Sequence, residues 1–271
     1  MRYAPLYDGA LIPRLGLGTW KMGGDSSPDY SQDERILDAL RTALDLGYRH
    51  FDTSEMYGGG HTEELIGQAI RGYKRQELFI TTKVWPSNLH YRGVLKAIEG
   101  SLQRLGIEYV DLYLIHWPNP QIPLADTFKA MNELADQGLA RYVGVSNFDL
   151  RLLEQSQIHS KYPIAANQVP YSLYQRTYRQ NEVLEFCQEN KIILIGYSPI
   201  GKGSVVADRR IGAIADRYQA TPAQVALAWL IQQPQVVAIP KATSREHLEE
   251  NLGALEVKLT EEDVEVLNRL S

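Results

Sequence analysis

The strongest constraint on this chain is an alternation that repeats along nearly its whole length. A short run rich in β-branched residues is followed by a longer segment of helical period. Strands are expected at 15–18, 48–52, 78–84, 109–116, 140–146, 165–169, 192–197 and 236–239. The segments between them carry apolar residues every three or four positions, the spacing that gathers them on one helix face. The first, 33–46, has Ile36, Leu37, Leu40, Ala43 and Leu44 in such a stripe. The others fall at 62–70, 92–105, 124–137, 150–159, 182–190, 222–231 and 245–252, and 260–270 is expected to add one helix more. Gly138 suits a left-handed cap after 124–137, and Thr221-Pro222 supplies an N-cap and an N1 proline. Eight strands alternating with about eight helices predict an α/β fold, the (β/α)8 TIM barrel, with residues 1–271 as one domain. A doubly wound sheet competes, but it calls for Gly-x-Gly-x-x-Gly after its first strand, and Leu15-Gly16-Leu17-Gly18-Thr19-Trp20 lacks the third glycine. Residues 6–12, around Asp8-Gly9, predict an N-terminal β-hairpin that plugs the barrel floor.

Composition bears on partners. The chain has 28 basic and 33 acidic side chains, a formal charge of −5. Nucleic acid and anionic membrane both reward positive charge, so neither is expected as a partner. The apolar runs 192–195 and 225–231 are far too short to span a bilayer. Pro5, Asp8 and Pro13 interrupt the region where a secretory signal would be apolar, which predicts a cytoplasmic protein. Cys187 is the single cysteine, and its helical surroundings predict core packing, not disulfide or thiol chemistry. The six histidines lie apart without ligand spacing, so no metal site is expected. No apolar stripe is left over for a partner, which predicts a monomer.

A barrel gathers its chemistry at the C-terminal ends of its strands. Here successive runs end in Asp52, Lys83, His116, Ser146-Asn147, Gln168 and Tyr197-Ser198, and Lys241 follows the eighth. Each alone has a bland explanation as a cap, a solvated charge or a satisfied core histidine. Their convergence on one pole is much harder to explain that way. Tyr57 lies just beyond Asp52, in a loop with Gly58, Gly59 and Gly60. A phenol titrates near ~10, and a neighbouring ammonium lowers that value. Lys83 can supply the cation, and Asp52 can hold Lys83 charged and in place. His116 can hydrogen-bond a carbonyl oxygen and orient it. Together these groups make a proton donor for an oxygen that becomes an alkoxide. A Schiff-base lyase using Lys83 is a competing chemistry. Asp52 argues against it, because that lysine would have to be neutral.

The same residues sit in segments that resemble the aldo-keto reductases along essentially the whole chain, most strongly the compact prokaryotic-type members. The segments are Leu15 to Trp20, Gly47 to Thr53 with Tyr57-Gly58, Thr82 to Trp85, Asp111 to Pro118, Gly144 to Phe148, Asn167 to Val169, Tyr197 to Pro199 and Ile239 to Lys241. The resemblance implies reduction of aldehydes and ketones by a nicotinamide cofactor, with Tyr57 as general acid beside Asp52, Lys83 and His116. It implies that Ser146, Asn147 and Gln168 bind the carboxamide and that Tyr197 stacks on the nicotinamide. Ser198, Pro199, Ile200, Gly201 and Lys202 would border the pyrophosphate. Lys241, Ala242, Thr243 and Ser244 would reach the 2′-phosphate, with His247 close by, and Glu250 and Asn251 would contact adenine. Thr19, Trp20, Asp52, Ile239 and Pro240 would complete the cofactor groove. Trp20, Trp85 and Trp117 would wall the substrate pocket around Tyr57 and His116.

Two departures from the family pattern carry expectations. His247 stands where members that prefer NADPH often have arginine, and Ala242 where a hydroxyl residue is common. A neutral imidazole offers one donor where guanidinium offers a charged fork. NADPH is therefore expected to be preferred through Lys241, Ser244 and Arg245, with NADH accepted. The loop before residue 124 and the tail after the last helix are short, which predicts an open pocket for varied small carbonyls. A nucleotide-sensing regulatory subunit is the alternative. Such proteins usually carry an added arm or patch, for which this sequence shows no segment.

Overall fold

The structure, a computed structural model, describes residues 2–270 apart from the side chain of Lys202. It opens with an antiparallel hairpin, β1 (Tyr3–Pro5) and β2 (Leu11–Pro13), paired from Tyr3 with Pro13 to Pro5 with Leu11. Asp8 and Gly9 make its turn, where Gly9 has φ +89° and the Asp8 carboxylate accepts from the Ala10 amide.

Eight parallel strands follow in sequential order. They are β3 (Leu17–Gly18), β4 (His50–Asp52), β5 (Phe79–Val84), β6 (Val110–Ile115), β7 (Ala140–Ser146), β8 (Ala166–Pro170), β9 (Ile193–Tyr197) and β10 (Val236–Ala238). The sheet curls until its edges meet. Leu15 bridges Ala238 in parallel, the Gly16 amide donates to the Ala238 carbonyl, and the Gly18 amide donates to the Pro240 carbonyl. Gly18 is required at this seam, because a Cβ there would stand 2.6 Å from the Ile239 carbonyl oxygen. The expected (β/α)8 barrel with an N-terminal hairpin is what the chain forms.

The helices are α1 (Asp33–Asp45), α2 (His61–Ala69), α3 (Tyr91–Leu105), α4 (Leu124–Asp136), α5 (Leu150–His159), α6 (Thr177–Gln180), α7 (Val183–Glu189), α8 (Arg209–Arg217), α9 (Pro222–Ile231), α10 (Arg245–Gly253) and α11 (Glu261–Asn268). Thr221 caps α9 in a reciprocal capping box with Gln224, and Thr260 caps α11 by accepting from the Asp263 amide. Gly138 turns α4 back at φ +72°. Cys187 is fully buried on α7, and burial pushes its thiol up to about 12, so it is inert packing.

Parallel strands buried on both faces need two apolar layers. Along β6, Leu112 and Leu114 join an inner cluster with Ile193, Ile195 and Val237, while Tyr113 and Ile115 join the outer one under the helices. Ala4, Leu6 and Ile12 of the hairpin belong to the inner cluster, so the hairpin does plug the barrel. Two local differences from expectation stand out. The helix expected at 182–190 starts at Val183, because Glu182 is left-handed at φ +61°, and the separate turn α6 precedes it. Helix α8 was not expected. Asp208 caps it and Ile211, Ile214 and Ala215 bury its inner face, but arginines at 209, 210 and 217 mask that stripe in the sequence.

Candidate active site

A cavity of about 580 Å3 opens at the C-terminal ends of the strands. Asp52, His116, Ser146, Asn147, Gln168 and Tyr197 line it from those ends. Thr19, Trp20, Tyr57, Trp85, Trp117, Ser198, Gly201, Ile239 and Lys241 line it from the loops beyond. Trp20 and Trp117 are 41% and 44% exposed, so the mouth is wide and apolar.

The floor is a chain of buried hydrogen bonds. Lys83 lies on β5 with its side chain fully buried. Its ammonium donates to Asp52 Oδ1 at 2.7 Å and to the Thr53 carbonyl at 2.7 Å, and stands 3.4 Å from the Tyr57 hydroxyl. Gln168 Nε2 donates to Asp52 Oδ2 at 2.6 Å. Both carboxylate oxygens are therefore held. Burial opposes the Lys83 charge, but Asp52 and Tyr57 together outweigh it and hold the lysine's pKa above the ordinary value.

Tyr57 corrects one expectation. Its phenol is pushed above the ordinary value, not brought down toward neutrality. Burial dominates, Lys83 lowers the value and Asp52 raises it. The geometry gives the reason: the two short contacts of the lysine go to Asp52 and Thr53, and the phenol receives only the long one. The proton thus stays on Tyr57 at neutral pH, as a donor requires before it acts. Gly58 shapes the turn that presents the phenol. It has φ +58°, and a Cβ would meet the Gly23 carbonyl oxygen at 2.4 Å.

His116 follows β6 and packs edge-on against Tyr57 and Trp85. Burial, helped by the Lys83 charge, pushes its imidazole down to about 2, so it is neutral. His50, inside the barrel, is pushed down to about 3 for the same two reasons. Unfolded histidine titrates near ~6.5, so below that pH the unfolded chain binds protons these two sites refuse. Their contribution to stability is therefore present above pH ~6.5 and lost as pH falls, at about 1.4 kcal/mol per pH unit for each ring. His61 runs the other way. Burial opposes its charge, but hydrogen bonds from its two ring nitrogens to Glu64 at 2.9 Å and Asp33 at 2.8 Å hold its pKa above the ordinary value. Its contribution is full below pH ~6.5 and is lost as pH rises through that raised value. An NMR titration from pH 8 to 5 should leave the His116 and His50 ring signals flat while His61 titrates. Movement of His116 through neutrality would contradict the assignment.

The next wall is polar. Asn147, left-handed at φ +62°, donates from Nδ2 to the His116 carbonyl at 3.0 Å and to Ser146 Oγ at 2.9 Å, and its Oδ1 accepts the Tyr197 hydroxyl at 3.0 Å. Lys241 sits at the far end. Burial, then the charges of Lys21 and Arg35, lowers its pKa, so three cations share this corner. Arg35 Nη2 reaches Thr243 Oγ1 at 3.3 Å, and Ser244 caps α10.

Other expected residues stand apart from the cavity. Pro199, Ile200, Pro240, Ala242, Thr243, Ser244, His247, Glu250 and Asn251 do not line it. His247 is turned to Glu250 at 3.2 Å, Arg245 pairs with Glu249 at 2.8 Å, and Asn251 is buried. The side chain of Lys202 lies outside the described residues. Sequence reasoning missed Ser54, 2.9 Å from His116 Nδ1, and the cations Lys21 and Arg35. The position of Lys21 beside Trp20 was a usable signal. Arg35 gave none, since it lies on α1, far in sequence from Thr243.

Comparison with known proteins bears on this geometry. The profile of the Aldo/keto reductase family matches residues 14–271. The methylglyoxal reductase DkgB of Escherichia coli O157:H7 is 36% identical, over 96% of this chain and 93% of its own. The crystal structure of the thermostable aldo-keto reductase Tm1743, bound to the inhibitor epalrestat, is 51% identical over 100% of both chains, with a TM-score of 0.98. An aldo/keto reductase of Klebsiella pneumoniae, in complex with NADP and acetate, is 36% identical over 99% of this chain and 94% of its own, with a TM-score of 0.90. With the family profile spanning the cavity-lining strands and loops, this chain belongs to the aldo/keto reductase family and is an NAD(P)H-dependent oxidoreductase.

Proposed function

We propose that this protein reduces small aldehydes and ketones, reactive dicarbonyls such as methylglyoxal among them, with NADPH preferred and NADH accepted. The observation that carries the reading is the buried line Gln168–Asp52–Lys83–Tyr57 ending beside a neutral His116 at the cavity floor. When bound, the reduced nicotinamide supplies hydride to the carbonyl carbon. The residues fit such a group. Gln168 keeps Oε1 available, since its amide nitrogen is the atom bonded to Asp52, and Ser146 and Asn147 add a hydroxyl and an amide on the same wall. The Tyr197 ring lines the cavity with its hydroxyl tethered to Asn147.

The chain's own part is to handle the oxygen. Tyr57 donates its proton to the carbonyl oxygen as negative charge develops there. Lys83, 3.4 Å from the phenol oxygen, then stabilises the phenolate. Asp52 keeps Lys83 charged, and Gln168 keeps Asp52 aimed. His116, uncharged, supplies a second hydrogen bond to the oxygen without competing for the proton. Trp20, Trp85 and Trp117 offer apolar contact and few polar demands, which supports a broad range of small carbonyls.

Preference for the 2′-phosphate rests on Lys241 and Arg35, because Arg245 and His247 are engaged by Glu249 and Glu250. Arg35→Ala should weaken NADPH binding about tenfold, the scale of one charge-assisted hydrogen bond. NADH binding should stay within twofold. Fluorescence titration with both cofactors reads this directly, and an equal loss for both would remove Arg35 from the phosphate site.

The reading as a whole is tested by NADPH oxidation at 340 nm with methylglyoxal and an aryl aldehyde, run beside NADH at millimolar concentration. Turnover with both cofactors, faster with NADPH, is expected. Tight NADPH binding without turnover on any carbonyl would overturn it in favour of a nucleotide-sensing protein.

A further inference from the structure

Neutral imidazole carries one proton on one of two nitrogens, and which one decides whether His116 can help a carbonyl oxygen. Only Nε2–H can donate to it, since Nδ1 is taken by Ser54 Oγ at 2.9 Å. The opposite tautomer would turn a lone pair toward a developing alkoxide. We propose that Ser54 is a positioning residue that fixes His116 as the Nε2–H tautomer by donating its hydroxyl proton to Nδ1. The inference rests on the reductase reading above and adds to it the group that sets the donor.

The hydrogen bonds around Ser54 decide the direction. Its Oγ has one proton and two acceptors in reach: His116 Nδ1 at 2.9 Å and the Lys83 carbonyl at 3.4 Å. It also accepts from the Met56 amide at 3.3 Å. If the proton goes to Nδ1, the short contact is O–H···N and Met56 fills a lone pair. If Nδ1–H donated instead, Oγ would accept twice and its own proton would be left the 3.4 Å contact, at the limit of a useful hydrogen bond. The first arrangement satisfies every group better. His116 Nε2 has no protein partner among the described residues, and the ring borders the cavity, so the proton placed there is free for substrate.

Ser54 is rigidly placed for this task. It is fully buried directly after Asp52-Thr53. The flanking Thr53 amide bonds the Thr81 carbonyl, and the Glu55 amide bonds the Lys83 carbonyl, continuing the β4–β5 register. Its own carbonyl accepts from the Tyr57 amide at 3.1 Å. One residue therefore anchors the turn that presents the phenol with its backbone and orients the second donor with its side chain.

The test is the tautomer itself. Long-range 1H–15N correlation of the His116 ring, in wild-type protein without substrate, should show protonated Nε2 and unprotonated Nδ1. Ser54→Thr keeps the hydroxyl and should keep both that pattern and turnover within about threefold. Ser54→Ala should lose the single-tautomer pattern and reduce kcat about tenfold, with NADPH affinity unchanged. Protonated Nδ1 in the wild type would overturn the proposal, as would Ser54→Ala with an unaltered spectrum and kcat. Should Ser54→Ala fail to fold, the wild-type and Ser54→Thr spectra still decide. A wild type inert on every carbonyl would sink the reductase reading and leave the spectrum to judge Ser54.

Discussion

Tyr57→Phe will lower carbonyl turnover by about 100-fold to 10,000-fold, the range that a positioned proton donor contributes. The change removes one oxygen and keeps the ring that packs against His116. Little stability is at stake, because among the described residues the hydroxyl makes only the 3.4 Å contact with Lys83. NADPH affinity should stay within twofold, since the phenol is assigned to the substrate. The experiment is single-turnover reduction alongside cofactor titration. A variant that keeps a tenth of the wild-type rate would show that water or another group delivers the proton.

Lys83→Met should be the most costly single change for folding and activity together. Lys83 and Asp52 are both buried, and the carboxylate would lose its cation while keeping only Gln168. Breaking a buried pair from one side costs about 3–5 kcal/mol. For a chain of this size that corresponds to a melting temperature lower by about 6–10 °C. Adding Asp52→Asn removes the stranded charge, so the double variant should recover much of the stability and none of the activity. That split separates the two roles of the pair. A single Lys83→Met variant as stable as wild type would mean that Asp52 is neutral in the folded protein.

Much of this was legible in the sequence, for a specific reason. A β/α barrel converts order along the chain into position around a ring, so the residues ending successive runs had to meet at one pole. Asp52, Lys83, His116 and Gln168 are legible that way from chain order alone. The hairpin was legible from Asp8-Gly9, and the start of α9 from Thr221-Pro222. Contacts between elements were not legible. Arg35 reaches Thr243 only because α1 and the segment before α10 are neighbours across the barrel seam. Ser54 carried no signal, because a serine beside a catalytic aspartate looks like any loop residue. The raised pKa of Tyr57 comes first from its burial in the folded site, and Lys83, whose short contacts go to Asp52 and Thr53, does not offset it; neither is visible in the sequence.

The seam between β3 and β10 has a consequence for how the protein is made. The segment at residues 14–18 leaves the ribosome long before residues 238–240, to which it bonds at the seam. Until then the growing sheet has two open edges, the condition under which strands recruit wrong neighbours. Gly18, Ile239 and Lys241 border the cavity at that seam. The event that removes the last exposed edge is thus also the one that completes the pocket wall. A nascent chain would gain its ligand-binding capacity in the same step that ends its exposure to aggregation, and ligand present during synthesis would pull the closure forward by mass action.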